Sequence, residues 1–501
     1  MENMNMHHSM NANPLVQHLQ KPACEFTKDD IIQYMEEHDI RMLNFRYVAE
    51  DGRLKTLNFV VGSYEHLNDI LTYGERVDGS SLFSFMEAGS SDLYVVPRYS
   101  TAFLNPFTEE PALEMLCSFY DPSGHPLETS PEYILQKAVA HFNSTTGLEM
   151  KFLGELEYYV NSKSSSLFPA TDQKGYHESE PFAKFEGMRK EALRLIARCG
   201  GQIKYGHAEV GTFQKGNELF EQHEIEFLPT QPVMAADQLI VAKWILRMLA
   251  DKMGVEISFA PKISVGKAGS GLHFHMLAEE NGVNIVTREG KLSLEAKRMI
   301  AGIMSLADAL TAFGNTVPTS YLRLVPNQEA PTYICWGERN RSALVRVPLG
   351  WNGTANMLAH ANPNIQIPEI KKPLRQTFEF RVPDGSANIY LTIAGLMVAC
   401  RHGLTDLPDA LTIAENLYVD GNIFKTVPRQ RLEQLPPSCH ESANRLHVKR
   451  DIFEKGDVFP IKVINHSIEK LKAYNDENLQ KQIQGNNDEI RNLVLKYIHC
   501  Q

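Results

Sequence analysis

Four short segments carry a pair of ionisable side chains two residues apart among apolar neighbours. They are Glu155 and Glu157 in GELEYYV, Glu224 and Glu226 in QHEIEF, His273 and His275 in GLHFHM, and Glu379 and Arg381 in TFEFRVP. On an extended strand that spacing turns both members of a pair to one face. The flanking residues place these charges close to a core, where an unpaired charge is costly unless a counter-ion or a metal balances it. Each pair also has an ordinary reading: the wet face of an edge strand, a hydrogen-bonded histidine pair, a cross-strand ion pair. Taken together, several carboxylates with one or two imidazoles suit a hard or borderline cation, Mg2+ or Mn2+ rather than zinc.

Protein-bound Mg2+ commonly partners substrate phosphates, so a nucleotide is a natural companion. No Walker loop of the form GxxxxGK[ST] is present. Gly266-Lys-Ala-Gly269-Ser-Gly271 precedes the histidine pair, although glycines also mark plain tight turns. Arg339, Arg341 and Arg346 lie close to Val345 and Val347. Arginine forks match phosphate and carboxylate oxygens, and they equally form surface ion pairs.

Strands must carry these pairs, and a scaffold must hold the strands. Thr27 precedes Asp29 and Asp30 and is placed to cap a helix. Arg41–Val48 alternates with Leu43, Phe45 and Tyr47 on one face, Asp51-Gly52 makes a hairpin turn, and Leu57, Phe59 and Val61 alternate on the return strand. Residues 24–120 read as a small α+β domain, and residues 1–23 as a disordered tail in which His7 and His8 are not ligands. Asp121-Pro-Ser-Gly-His-Pro126 marks a boundary, after which Ser130 caps a helix with Pro131 in its first position. Ala235–Met253 reads as a helix ended by Gly254, with Lys243, Arg247 and Asp251 as its polar stripe. The polar helical segment from about His466 is expected to pack on a neighbouring subunit, so residues 121–501 form a second domain with a helical extension.

Composition narrows the function classes. The 501 residues carry a net charge of −11 and a pI near 5.9, which disfavours nucleic acid as a partner. The seven cysteines are scattered and contain no C-x-x-C pair, as expected for a reducing cytoplasm. The nearest approach to a membrane span, Ile389–Cys400, is broken by Thr392 and Gly395 and falls short of the ~20 apolar residues required, so no membrane partner is expected.

The order of the motifs is more specific than any one of them. Asp78-Gly-Ser-Ser81, GELEYYV, QHEIEF, GSGLHFHM, RLVPNQEAP, NRSALVRVP and EFRVPDGSANIYL follow one another along the chain. In this order they resemble the glutamine synthetase family, type I, from about Thr27 to beyond Tyr418. The resemblance implies an α+β fold, in which a β-grasp domain precedes a catalytic domain of helices around a curved antiparallel sheet, as in guanido kinases. It implies a homo-oligomer, a dodecamer of two hexameric rings whose active sites lie between subunits, with the Asp78 loop supplied by a neighbour. It implies ATP-dependent ligation of ammonia to the γ-carboxylate of L-glutamate through a γ-glutamyl phosphate, with two or three Mg2+ or Mn2+ ions per site.

Site roles follow from the same resemblance. Glu157, Glu209 in HAEVG and Glu224 match ligands of the ion on the glutamate side; Glu155, His273 and Glu379 match ligands of the ion on the ATP side. Arg323, Arg381 and the backbone at Gly269 match the glutamate site, and Arg341 and Arg346 hold the transferring phosphoryl group and ATP with His275 nearby. Asp78, Ser81, Tyr176 in KGYHESEP and Glu329 match the ammonium pocket and its closing flap. Three positions depart from the family pattern: Ala268 stands for the usual Asn, Leu277 for a common Ser, and Thr377 thins a basic run. Tyr418 falls where some relatives are adenylylated, but the usual Asp-Leu-Pro continuation is missing. Alternatives on the same scaffold are a γ-glutamyl-amine (polyamine) ligase and a catalytically inactive paralogue. A guanido-kinase-like phosphotransferase shares the sheet type but not the motif order.

Overall fold

The structure is a computed structural model that describes every residue except 1–8, 88, 90, 326–329, 351–356, 367–374, 422, 424–431, 484, 485 and 501. Its first sheet is built from β1 (Met42–Val48), β2 (Leu54–Val60), β3 (Glu75–Asp78), β4 (Asp92–Pro97), β5 (Phe103–Leu104) and β6 (Ala112–Tyr120). The order is β2-β1-β6-β4-β3 with β5 on β6, and β1 and β6 run parallel. Leu43, Phe45 and Tyr47 point to a core that also holds Ile31, Tyr34 and Met35 of helix Lys28–Glu37. Thr27 and Asp30 close that helix with a reciprocal capping box. The other face of β1 is buried too. There Glu114 accepts from Asn44 Nδ2 at 2.7 Å and Arg46 Nε at 2.5 Å, and the Arg46 guanidinium stacks over Trp244 at 4.7 Å.

The second sheet carries β7 (Glu149–Lys163), β8 (Ile203–Ala208), β9 (Phe213–Lys215), β10 (Glu218–Phe227), β11 (Glu256–Ser258), β12 (Leu272–Glu280) and β13 (Val283–Asn284). After a separate two-stranded pair, β14 (Thr287–Arg288) and β15 (Lys291–Leu292), it is completed by β16 (Trp336–Glu338), β17 (Val345–Val347) and β18 (Phe378–Phe380). The order is β16-β17-β18-β12-β7-β10-β8. The pairings among β18, β12, β7, β10 and β8 are all antiparallel. The long helices Pro232–Met253, Leu294–Gly314 and Ile389–Thr405 share one core with these strands. The two cores are tied by a buried ion pair, Arg98 Nη1 and Nη2 to Asp237 at 2.7 and 2.9 Å, with Tyr390 donating to the same carboxylate at 2.6 Å. The fold is thus of the α+β class. Among the described residues, no helix is long and apolar enough to cross a membrane.

Three local expectations are corrected. The segment read as a disordered tail to residue 23 folds at its C-terminal end. Helix Pro14–Leu19 buries Leu15 and Val16 in the first core, capped by Asn13, whose Nδ2 donates to the Ala102 carbonyl at 3.1 Å. Ser130 occupies the expected N-cap position, but its hydroxyl makes no capping bond. Lys243 is not on a wet stripe: it is buried, and its Nζ donates to the Gly385 carbonyl at 2.8 Å. At the C-terminal end, Ser258 and Arg53 donate to the Ile498 and His499 carbonyls and Cys500 shares a small core with Ala260 and Val317.

Candidate active site

Strand register assembles the four spaced pairs. Glu155 of β7 stands opposite Glu226 of β10 and His273 of β12; Glu157 stands opposite Glu224; and His275 and Arg346 both stand opposite Glu379. Since each pair repeats at two residues, all of these side chains emerge on one face. Glu155 is the hub, with its two oxygens 3.0 Å from His273 Nδ1 and 2.8 Å from His275 Nε2. Glu379 lies 3.5 Å from His273 Nδ1 and accepts from Arg346 Nη1 and Arg381 Nε, each at 3.0 Å.

Among the described residues, three groups bring their ligand atoms within 4.8 Å of one another: Glu155 with His273 and Glu379, Glu155 with Glu226 and His275, and His207 with Glu209 and Glu224. The first is the trio expected for one ion. In the third, His207 takes the place expected of Glu157. The Glu157 carboxylate turns to the glycine loop, accepting from Gly271 N at 2.7 Å and Gln222 Nε2 at 3.2 Å. Glu226, a member of a spaced pair, joins the second group, a role that the family resemblance does not imply. His207-Ala-Glu209 is a fifth pair with the same spacing, and that signal would have found His207.

Charge is balanced unevenly across the face. Burial disfavours ionisation of Glu155, but His275 and His273 outweigh it and hold the carboxyl well below its usual range. Burial and the Glu155 charge oppose ionisation of Glu379, and His275, Arg381 and His273 prevail. Burial likewise works against His275, yet Glu155 raises its pKa. Glu224 has no such compensation: burial, then repulsion from Glu155, Glu157 and Glu209, pushes it well above the usual range. The Glu209–Glu224 end therefore crowds carboxyl groups with no balancing cation, and its oxygen-rich donor set fits a divalent cation of the Mg2+ or Mn2+ kind.

The cationic and aromatic candidates surround this face. Arg341 has its pKa raised despite burial by the hydrogen bond it donates to the Tyr176 oxygen and by the charge of Glu209. The Tyr176 ring stacks on His177 at 4.1 Å and meets the edge of His207 at 5.4 Å. Arg323 is buried, with Nη1 donating to Val382 O at 2.8 Å and Nη2 3.3 Å from His273 Nε2. Arg381 Nη1 donates to the Arg341 carbonyl. Arg346 Nε is buried without an acceptor among the described residues. The glycine loop must approach closely: a Cβ at Gly271 would lie 2.5 Å from His273 Nε2, and one at Gly269 only 2.4 Å from the Pro261 carbonyl. Asp78 and Ser81 sit apart, on an exposed turn at the end of β3, where Ser80 N, Ser80 Oγ and Ser81 Oγ all donate to Asp78. Glu329 lies outside the described residues.

The departures have local accommodations. Ala268 is held by its backbone, N donating to Gln173 Oε1 at 2.8 Å and O accepting from Tyr159 at 2.9 Å. Leu277 is buried in the large core. Tyr418 is exposed and lies edge-on to Trp336 at 4.9 Å. Thr377 Oγ1 lies 3.0 Å from His275 Nδ1 and so orients the ring that faces Glu155. Losing such an orienting partner typically weakens a metal site by about 10- to 100-fold. A Thr377→Val variant should accordingly need about tenfold more Mg2+ or Mn2+ for half-maximal activity, with kcat at saturating metal little changed. A metal titration of activity checks this.

Comparison with known proteins agrees with this geometry. Residues 128–489 match the family described as glutamine synthetase, catalytic domain, and residues 39–122 match the glutamine synthetase beta-Grasp domain. A glutamine synthetase of Aquifex aeolicus is 27% identical over 485 residues, covering 90% of this chain and 96% of its own. That of Thermotoga maritima is 29% identical over 460 residues, covering 89% and 94%. Among solved structures, the Plasmodium falciparum glutamine synthetase superposes with a TM-score of 0.73 at 19% identity over 92% of this chain and 98% of its own. A GmaS/ADP complex superposes at 0.69 with the same identity and coverages. The fold and the site define an ATP-dependent ligase. The chain belongs to the glutamine synthetase family.

Proposed function

We propose that the chain ligates ammonia to the γ-carboxylate of L-glutamate at the cost of ATP, through a γ-glutamyl phosphate. The observation that carries this reading is the single strand face whose ligand groups centre on two places: Glu155 and Glu379, flanked by Arg346 and Arg381, and Glu209 and Glu224, flanked by Arg341 and Tyr176. We assign residues 24–120 to a β-grasp domain and 121–501 to the catalytic domain, and we propose a dodecamer of two hexameric rings.

In this reading Glu155, His273 and Glu379 hold one divalent ion, and Glu209, Glu224 and His207 a second, with Glu157 supporting the glycine loop. Bound there, Mg2+ or Mn2+ supplies Lewis-acid charge for phosphoryl and acyl transfer. Arg323, Arg381 and the Gly269 backbone orient glutamate. Arg341 and Arg346 neutralise charge on the γ-phosphoryl group as it moves to the carboxylate oxygen, with ADP leaving. Ammonium lacks a lone pair, so Asp78 of a neighbouring subunit takes its proton, with Ser81 and Tyr176 lining the pocket. Ammonia then attacks the acyl carbon and phosphate departs, while Glu329 keeps water away.

The test is ATP-dependent phosphate release with L-glutamate, comparing ammonium with methylamine and a polyamine. Ammonium should give the highest kcat/KM, EDTA should abolish turnover, and Mg2+ or Mn2+ should restore it. Preference for an amine would replace this reading with that of a γ-glutamyl-amine ligase. No turnover with any acceptor would indicate an inactive paralogue.

A further inference from the structure

The Asp78 turn is the one part of the proposed site that lies on the first sheet, and something must fix it relative to the rest of the fold. Its N-terminal side is held by Gly79 N donating to Ser91 O at 2.7 Å. On its C-terminal side the chain runs through Leu82, Phe83, Ser84 and Phe85, and Phe83 N donates back to Gly79 O at 2.8 Å. This stretch is clipped by Glu50, which follows β1. Glu50 N donates to Leu82 O at 3.1 Å, and Glu50 Oε2 accepts from both Ser84 N and Ser84 Oγ at 2.7 Å.

The other Glu50 oxygen faces helix Ile461–Lys472 of the second core, with His466 Nε2 at 2.6 Å and Lys470 Nζ at 3.5 Å. The His466 ring meets Phe85 edge-on at 5.1 Å, and Lys462 Nζ lies 5.4 Å over the same ring. Beneath the clip, packing is incomplete: a cavity of about 70 Å3 lies among Phe83, Phe85, Phe313, Leu391, Val463 and Leu471. Apolar contact alone therefore leaves slack, and the directional bonds to a carboxylate, among the stronger kind, set the position of the segment.

We propose that Glu50 is a positioning residue for the ammonium step. It locks the segment after Asp78-Gly-Ser-Ser81 to helix Ile461–Lys472, so that the Asp78 carboxylate is presented at a fixed place. This rests on the reading of Asp78 as the ammonium-binding carboxylate. Glu50 touches no substrate, and its effect passes through Ser84 to the turn.

The experiment measures KM for ammonium, glutamate and ATP, and kcat, in Glu50→Ala, Glu50→Gln, Ser84→Ala and Asp78→Asn proteins. Glu50→Ala should raise ammonium KM about tenfold, a penalty expected when a reacting group is misplaced by a fraction of an ångström, with glutamate and ATP KM within about twofold of the starting protein. Glu50→Gln keeps an oxygen for Ser84 and should fall between the two. Ser84→Ala removes one of the two Ser84 bonds and should raise ammonium KM about two- to threefold; it and Glu50→Gln carry the test should Glu50→Ala not fold. A merely structural role would change all three KM values together, or lower stability with ammonium KM unmoved, and either pattern overturns the proposal. Unchanged ammonium KM in the Glu50 and Ser84 variants beside a raised one in Asp78→Asn also overturns it. Unchanged ammonium KM in Asp78→Asn itself removes the reading on which it stands.

Discussion

ATP-dependent turnover by a Glu155→Ala variant is expected to fall by about a thousandfold or more, and extra Mg2+ or Mn2+ should not restore it. Glu155 is shared by two of the three ligand groups and is the acceptor that both His273 and His275 face. Charge stabilisation by a metal is worth several kcal/mol, and a loss of about 4 kcal/mol is three decades of rate. The competing interpretation is a buried carboxylate that merely satisfies two imidazoles, whose removal destabilises the fold. Glu224→Gln separates the two. It removes one of the crowded, mutually repelling carboxyl groups, so the chelator-treated variant should melt no lower than the chelator-treated starting protein. It should also lose the rise in Tm that the starting protein shows with Mg2+ or Mn2+. A Glu155→Ala enzyme with turnover within tenfold of the starting protein would remove this residue from the metal site.

Much of that site is legible in the sequence because strand geometry is simple. A spacing of two puts side chains on one face whatever the neighbouring strands do, so Glu155, Glu224, His273 and Glu379 needed only the order of their strands to be brought together. Side-chain direction within the face is less legible. Glu157 has the right register but turns to Gly271 N, an available donor in the glycine loop, while His207 swings toward Glu224 at 3.4 Å. Such choices depend on competing partners contributed by β8 and β12, which no single segment reveals.

Burial of polar residues is similarly hidden. Lys243 sits four residues from Arg247, a spacing that reads as a solvated stripe, yet a backbone carbonyl from Gly385 meets its ammonium in the core. Burial, with the Arg247 charge adding to it, brings its pKa down to about 7. The N-terminal tail misleads in the opposite way. Its Met-, Asn- and His-rich start suggests disorder, whereas Leu15 and Val16 within six helical residues suffice once β5 and its neighbours provide a surface. The turn of Asp51-Gly52, the Thr27 cap and the Gly254 stop are local signals needing no partner, and each is found where expected.

Asp78→Asn is expected to raise ammonium KM and lower kcat by about a hundredfold, with glutamate KM within about twofold. The hydroxyls of Ser81, Ser80 and Ser91, with the backbone N–H of Ser80, hold this carboxyl far below its usual range, so it is charged throughout the working pH range. Asparagine keeps an oxygen for Ser80 N but supplies neither the negative charge that attracts ammonium nor a base for its proton. The plain alternative is that Asp78 only shapes its turn, for which aspartate is a common choice. Its bonds run to Ser80 and Ser81 of its own turn and to nearby Ser91, and the turn lies on the first sheet; in the proposed dodecamer its part in catalysis is played at a neighbouring subunit's site. Mixing exploits that dependence. A ring built from equal amounts of inactive Asp78→Ala and Glu379→Ala subunits should regain activity in about a quarter of its sites, those pairing an intact Glu379 with an intact neighbouring Asp78. Activity restored to that level, together with the raised ammonium KM, assigns the carboxylate to the ammonium step across a subunit boundary. Unchanged ammonium KM and kcat in Asp78→Asn, or no recovery on mixing, leaves Asp78 as a turn former and turns attention back to amines as the nitrogen donor.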